Sequence, residues 1–117
     1  MFKHLFSKLE AALPGLKSAA VVGQDGIEVD VFVKEDLPHE ILSAEMNGIL
    51  RTMDRLRSEL ALGTLSEVVI RTDTQNILLT ALSEGLFLLL VTGPSETTGK
   101  VRYETQRLAH EFVEAVR

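Results

Sequence analysis

The densest set of groups able to do chemistry in this chain is Gly93-Pro94-Ser95-Glu96-Thr97-Thr98-Gly99-Lys100-Val101. It follows an apolar run and precedes a helical pattern, the setting in which a glycine loop cradles phosphate with backbone amides and a lysine. The spacing departs from that motif: five residues separate the glycines, one too many, and Val101 stands where a hydroxyl would hold Mg²⁺. The segment reads instead as a strand–loop–helix junction with Thr97 or Thr98 as the helix N-cap.

The remaining reactive side chains are scattered. His4, His39 and His110 share no metal-ligand spacing, and neither His39-Glu40 nor His110-Glu111 is followed by the second histidine of a zinc helix. Each is expected at the surface or at a helix end. Asp25-Gly26 lacks the alternating oxygen ligands of a calcium loop. Glu28 and Asp30 are expected on a wet strand face as ordinary solvated acids. There is no GxSxG elbow. With no cysteine, disulfides, thiolate metal sites and a cysteine nucleophile are excluded. No catalytic residue, metal or cofactor is expected.

Composition narrows the class further. Twelve Lys+Arg against 17 Asp+Glu leave a net charge of −5, with a pI near 5.1, which argues against a nucleic-acid partner held by phosphate neutralisation. The longest apolar run, Leu86 to Val91, is far short of the roughly 20 residues that span a bilayer, so no membrane insertion is expected. Lys3, Lys8, Glu10 and Lys17 interrupt any signal-peptide core. The expectation is a single cytoplasmic domain over residues 1–117.

The elements follow from periodicity. Phe2, Leu5, Phe6, Leu9 and Leu13 predict a helix that Pro14-Gly15 ends. A hairpin follows, Lys17 to Val22 and Ile27 to Val33, turning through Gly23-Gln24-Asp25-Gly26. Its second strand is predicted to place Ile27, Val29, Val31 and Val33 on one face, with Glu28, Asp30 and Phe32 on the other. A long helix starts at Asp36 or Pro38 and runs to about Leu62, where Gly63 stops it. Strands then run from Leu65 to Thr72, Ile77 to Leu82 and Leu86 to Thr92, turning at Asp73 to Asn76 and at Glu84-Gly85. The last two are apolar on both faces and belong mid-sheet. From about Thr98 a closing helix aligns Val101, Leu108, Ala109, Phe112 and Val116. The class is α/β in the α+β sense: αββαβββα, a five-stranded, mainly antiparallel sheet with helices on both faces.

The long helix has two informative sides. Leu42, Met46, Ile49, Met53, Leu56 and Leu60 form a stripe about 80° wide, expected to cover the sheet. On the opposite side Ala44 and Gly48 lie one turn apart, flanked by Arg51, Thr52 and Arg55. Small residues four apart admit a second backbone, so this face is a candidate for pairing with a symmetry mate. The Leu65 to Thr72 strand is expected at a sheet edge, whose apolar open side invites its twin. Helix and edge together point to a two-fold interface at Ala44, Gly48, Thr52, Glu67, Val69 and Arg71, joining two sheets into one of ten strands.

In this order of elements, the sequence resembles the Roadblock/LC7 domain, and within it the bacterial MglB-like GTPase regulators. The resemblance spans essentially the whole chain. It is carried by Gly15-Leu16-Lys17-Ser18-Ala19-Ala20-Val21-Val22-Gly23-Gln24-Asp25-Gly26 and by Gly99-Lys100-Val101-Arg102-Tyr103-Glu104 with Leu108-Ala109. It implies a profilin-like architecture, a homodimer through the long helix and third strand, and a platform for a Ras-like small GTPase. In the MglB-like branch the dimer stimulates GTP hydrolysis without supplying an arginine finger. The resemblance therefore implies contact roles, not catalytic ones, for Arg51, Arg55 and Asn47. The leading reading is a non-enzymatic homodimeric regulator or scaffold. A small-ligand sensory domain and an adaptor without effect on GTP turnover stay open beside it.

Overall fold

The computed structural model describes residues 2–83 and 85–116. In chain order the elements are α1 (Lys3–Ala12), β1 (Leu16–Val22), β2 (Glu28–Val33), α2 (His39–Glu59), β3 (Glu67–Arg71), β4 (Asn76–Ala81), β5 (Phe87–Thr92) and α3 (Thr98–Ala115). The strands form one sheet in the order β2-β1-β5-β4-β3, with every neighbouring pair antiparallel. Helices α1 and α3 cover one face and α2 the other. The predicted turn at Glu84-Gly85 falls partly outside the described residues, since Glu84 is not among them.

Burial explains the order. All of β5 is buried, as are Asn76 to Thr80 of β4. β1 joins them mid-sheet, a place its small residues Ser18, Ala19 and Ala20 did not advertise in the hydropathy pattern. Ala19, Val21, Leu78, Leu88 and Leu90 pack toward α1 and α3. Ala20, Val22, Leu79, Phe87, Leu89 and Val91 pack toward α2. Each such large side chain contributes about 1.5–3 kcal/mol by leaving water. Phe2 stacks on Phe112 at 5.7 Å between ring centroids, fastening α1 to α3.

The second strand departs from simple alternation. Asp30 pairs with Val21 and Glu28 with Val22, so Val29 has no partner residue and forms a β-bulge. The extra residue sends Glu28 and Asp30 to opposite faces, correcting the expectation that they share one. Neither is an ordinary solvated acid. The Glu28 side chain is only 11% exposed, with Oε1 2.8 Å from His39 Nδ1 and Oε2 accepting from Ser43 Oγ at 2.9 Å. Asp30 accepts from the backbone N–H of Phe2 (3.0 Å) and of Val31 (2.9 Å). The Phe2 bond above all holds its carboxyl below the usual aspartate range.

The glycine loop before α3 is a structural clasp. Glu96 turns inward, and its Oε1 accepts from the Gly15 N–H at 2.8 Å. Asn76 donates to the Glu96 carbonyl at 2.9 Å, so Asn76 belongs to a strand and a clasp instead of the predicted turn. A Cβ at Gly15 would lie 2.6 Å from Glu96 Cγ, which is why a glycine is needed there. Lys100 sits 3.6 Å from Glu96 Oε2 and Thr97 is the N-cap, accepting from the Lys100 N–H. The loop's lysine therefore faces the chain's own carboxylate.

Helix α2 ends before Gly63. Leu62 N–H donates to Arg57 O at 2.8 Å and Ala61 N–H to Ser58 O at 3.3 Å, the paired bonds of a Schellman motif. Its left-handed position is Ala61, at φ 55°, where a Cβ is unfavourable. Replacing Ala61 with Gly is expected to stabilise the fold by about 0.5–1 kcal/mol in chemical denaturation; a destabilised variant would contradict this cap. A second expectation concerns acid. Because the folded-state pKa of Asp30 is depressed, its contribution is present above the ordinary aspartate pKa and lost as pH falls through the depressed value. Asp30→Asn should lower the melting temperature at neutral pH and narrow the gap to wild type in acid. A gap unchanged with pH would refute that role.

Candidate interaction face

Helix α2 is rolled relative to its apolar stripe. Its buried residues are Ser43, Met46 and Asn47, centred roughly a quarter turn from the stripe's midline. The cause lies in β2 and its turn. Glu28 draws in His39 and Ser43, while Gly26, at φ +82°, approaches so closely that a Cβ there would lie 3.3 Å from Asn47 Cβ and 3.4 Å from Ala44 Cα. Leu42, Met46, Ile49 and Leu50 still pack on the sheet. The last turns of the stripe do not: Leu56 is 36% exposed and Leu60 64%. The expectation that the whole stripe covers the sheet is therefore corrected for its C-terminal part.

The predicted helix residues are placed as follows. Ala44, Gly48 and Thr52 lie along one exposed line of α2. Ala44 already has a partner within the chain, the Gly26 turn. Gly48 has nothing within 4 Å of the position a Cβ would take, and Thr52 Oγ1 donates back to its carbonyl at 3.2 Å. The uncovered Leu56 and Leu60, which helical periodicity assigns to the core, stand on the flank beyond Thr52.

On β3, Ser66 accepts from Ala81 N–H, and Thr72 N–H donates to Gln75 O. In an antiparallel pair each residue turns both backbone groups to the same side, alternating along the strand. Glu67, Val69 and Arg71 therefore direct their N–H and C=O groups outward from the sheet, away from β4. Their side chains point to the α3 face: Glu67 forms an ion pair with Arg102, and Arg71 Nε donates to Asn76 Oδ1 at 3.3 Å. The six predicted interface residues thus do not meet as side chains. The helix set lies on one layer, while the strand set offers an edge of backbone.

The opposite edge differs. At β2 the bulge at Val29 bends the strand, and the Asp30 carboxylate takes the N–H of Val31. Bulges and charges of this kind blunt an edge against pairing. β3 carries no such bulge over Glu67–Arg71.

Asn47, Arg51 and Arg55 divide by burial. Asn47 is only 9% exposed, beneath the Gly26 turn. Arg51 is exposed, and its Nη2 donates to Gln24 O at 3.3 Å. Arg55, also exposed, lies 3.9 Å from Glu59. Asn47 and Arg51 border a groove of about 430 Å³ between α2 and the two hairpin tips, floored by Leu50, Leu65, Leu82 and Phe87. Among the described residues no three His, Asp or Glu side chains gather as metal ligands, and no helix is long and apolar enough to cross a membrane.

Comparison with known proteins agrees with this architecture. The Roadblock/LC7 domain model matches residues 3–92. An uncharacterized protein of Methanocaldococcus jannaschii, MJ1340, is 25% identical over 98 residues, covering 84% of this chain and 85% of its own. Among solved structures, the gliding protein MglB from Thermus thermophilus superposes with a TM-score of 0.82 at 17% identity, covering 97% of this chain and 88% of its own. MglB of Myxococcus xanthus gives a TM-score of 0.80 at 14% identity, with 95% and 96% covered. At such identities the likeness is one of fold, and the matched family model goes further: this chain belongs to the Roadblock/LC7 family.

Proposed function

We propose that this chain is a non-enzymatic, homodimeric regulator or scaffold of a Ras-like small GTPase, working in the cytoplasm. The observation that carries the dimer is the pairing of an open β3 edge with uncovered leucines at the end of the helix that precedes it. A two-fold axis beside β3 would join both edges and bring the two α2 flanks together, removing Leu56 and Leu60 from water. The GTPase partner is supported by family membership and by the MglB structures among the fold's neighbours. Arg51 and Arg55 serve in this reading as contact residues, and the GTPase keeps its own catalytic groups. The sensory alternative would need a ligand cavity enclosed between sheet and helix, and the groove beside α2 is open to solvent.

Mixing the purified chain with a Ras-like GTPase encoded in the same genome is expected to give a complex in at least one nucleotide state. A several-fold change in GTP turnover marks a regulator, whereas binding with unchanged turnover marks an adaptor. No complex with either GDP or a GTP analogue would sink both. For the dimer, Leu60→Glu should weaken self-association at least tenfold in analytical ultracentrifugation. Gly48→Trp tests the small-residue line separately. If both variants dimerise as wild type does, α2 is not in the interface.

A further inference from the structure

The groove beside α2 has a chemistry of its own. Parts of its wall are in contact before any partner arrives: Gly26 rests on Ala44 and Asn47, Arg51 donates to the Gln24 carbonyl, and Gly85 of the second hairpin approaches the first. There Gly85, at φ +75°, comes so near that a Cβ would lie 3.0 Å from the Gln24 side chain. A site fixed in this way loses little order on binding. The floor is apolar, from Leu50, Leu65, Leu82 and Phe87. The rim carries Arg51, Arg57 and Asp54. Arg57 is matched by Asp54 at 2.7 Å. Arg51 has no carboxylate within ion-pair distance among the described residues. Its guanidinium uses one donor on a carbonyl and keeps others for a carboxylate.

We infer that this groove seats an apolar side chain of the GTPase partner, with Arg51 paired to a carboxylate beside that side chain. This rests on the regulator reading above and specifies the partner's docking element. A second copy is not the occupant, because the self-association proposed above uses the other flank of α2, half a turn from Asn47 and Arg51. A freely soluble ligand would be left exposed along the open side, where a protein segment continues onto the neighbouring surface.

The test measures GTPase affinity for wild type, Ala81→Trp, Arg51→Glu and Arg107→Glu. Ala81 is exposed at the groove wall, so a Trp fills the space without disturbing the core, while Arg107 controls for charge from the other face of the sheet. Ala81→Trp and Arg51→Glu should each raise Kd at least tenfold, and Arg107→Glu less than twofold. The Arg51→Glu deficit should shrink at high salt and the Ala81→Trp deficit persist. If wild type binds and both groove variants bind equally well, the groove inference falls and the regulator reading stands. If wild type binds no Ras-like GTPase, the reading falls and takes the inference with it.

Discussion

The contact between Gly26 and α2 decides more of this molecule than any other. A turn residue with positive φ and no side chain lets the first hairpin tip rest directly on Ala44 and Asn47. Together with the Glu28 bonds to His39 and Ser43, it fixes the roll of a 21-residue helix about its own axis. The roll buries polar Ser43 and Asn47 and leaves Leu56 and Leu60 uncovered. It also holds Arg51 at the mouth of the groove. A side chain at Gly26 would be strained by the positive φ and would crowd Ala44 and Asn47 on α2.

Several acids act inside this protein as acceptors that hold elements together. Glu28 ties β2 to α2, Asp30 ties β2 to the start of α1, and Glu96 ties the loop before α3 to the start of β1. Each takes a backbone or hydroxyl donor that would otherwise lack a partner, and a carboxylate makes such bonds stronger than a neutral acceptor does. The formal charge of −5 therefore overstates how acidic a face the fold shows to partners. The glycine loop illustrates the same economy: its lysine and its carboxylate face each other.

Most of the architecture is written in hydrophobic periodicity. The two-sided apolar runs at Ile77 to Leu82 and Leu86 to Thr92 place β4 and β5 inside the sheet, and the glycine-bounded turn at Gly23 to Gly26 marks the first hairpin. What escaped is what periodicity cannot encode. An extra residue in β2 leaves the letters alternating while the backbone does not, so Glu28 and Asp30 seemed to share a face. The roll of α2 is set by polar contacts from a distant turn, invisible to a helical wheel. Ala61 takes the left-handed cap because the helix register ends there, although Gly63 looked the better residue. At the candidate face, the edge position of β3 was legible from its place after the long helix. The exposure of Leu60 was not, since a leucine on an apolar stripe reads as core.

The inequality of the two sheet edges limits what an assembly of this chain can become. A sheet with two receptive borders can add copies without end, each newcomer offering a fresh border, which is the route to fibres. Here the bulge at Val29 and the Asp30 carboxylate leave β2 unreceptive, and only β3 presents a flat row of unpaired groups. A border that meets its own twin is used up by that meeting. In the dimer proposed above, growth by strand pairing would therefore end at two chains, stopped by one inserted residue and one aspartate on the far side of the sheet.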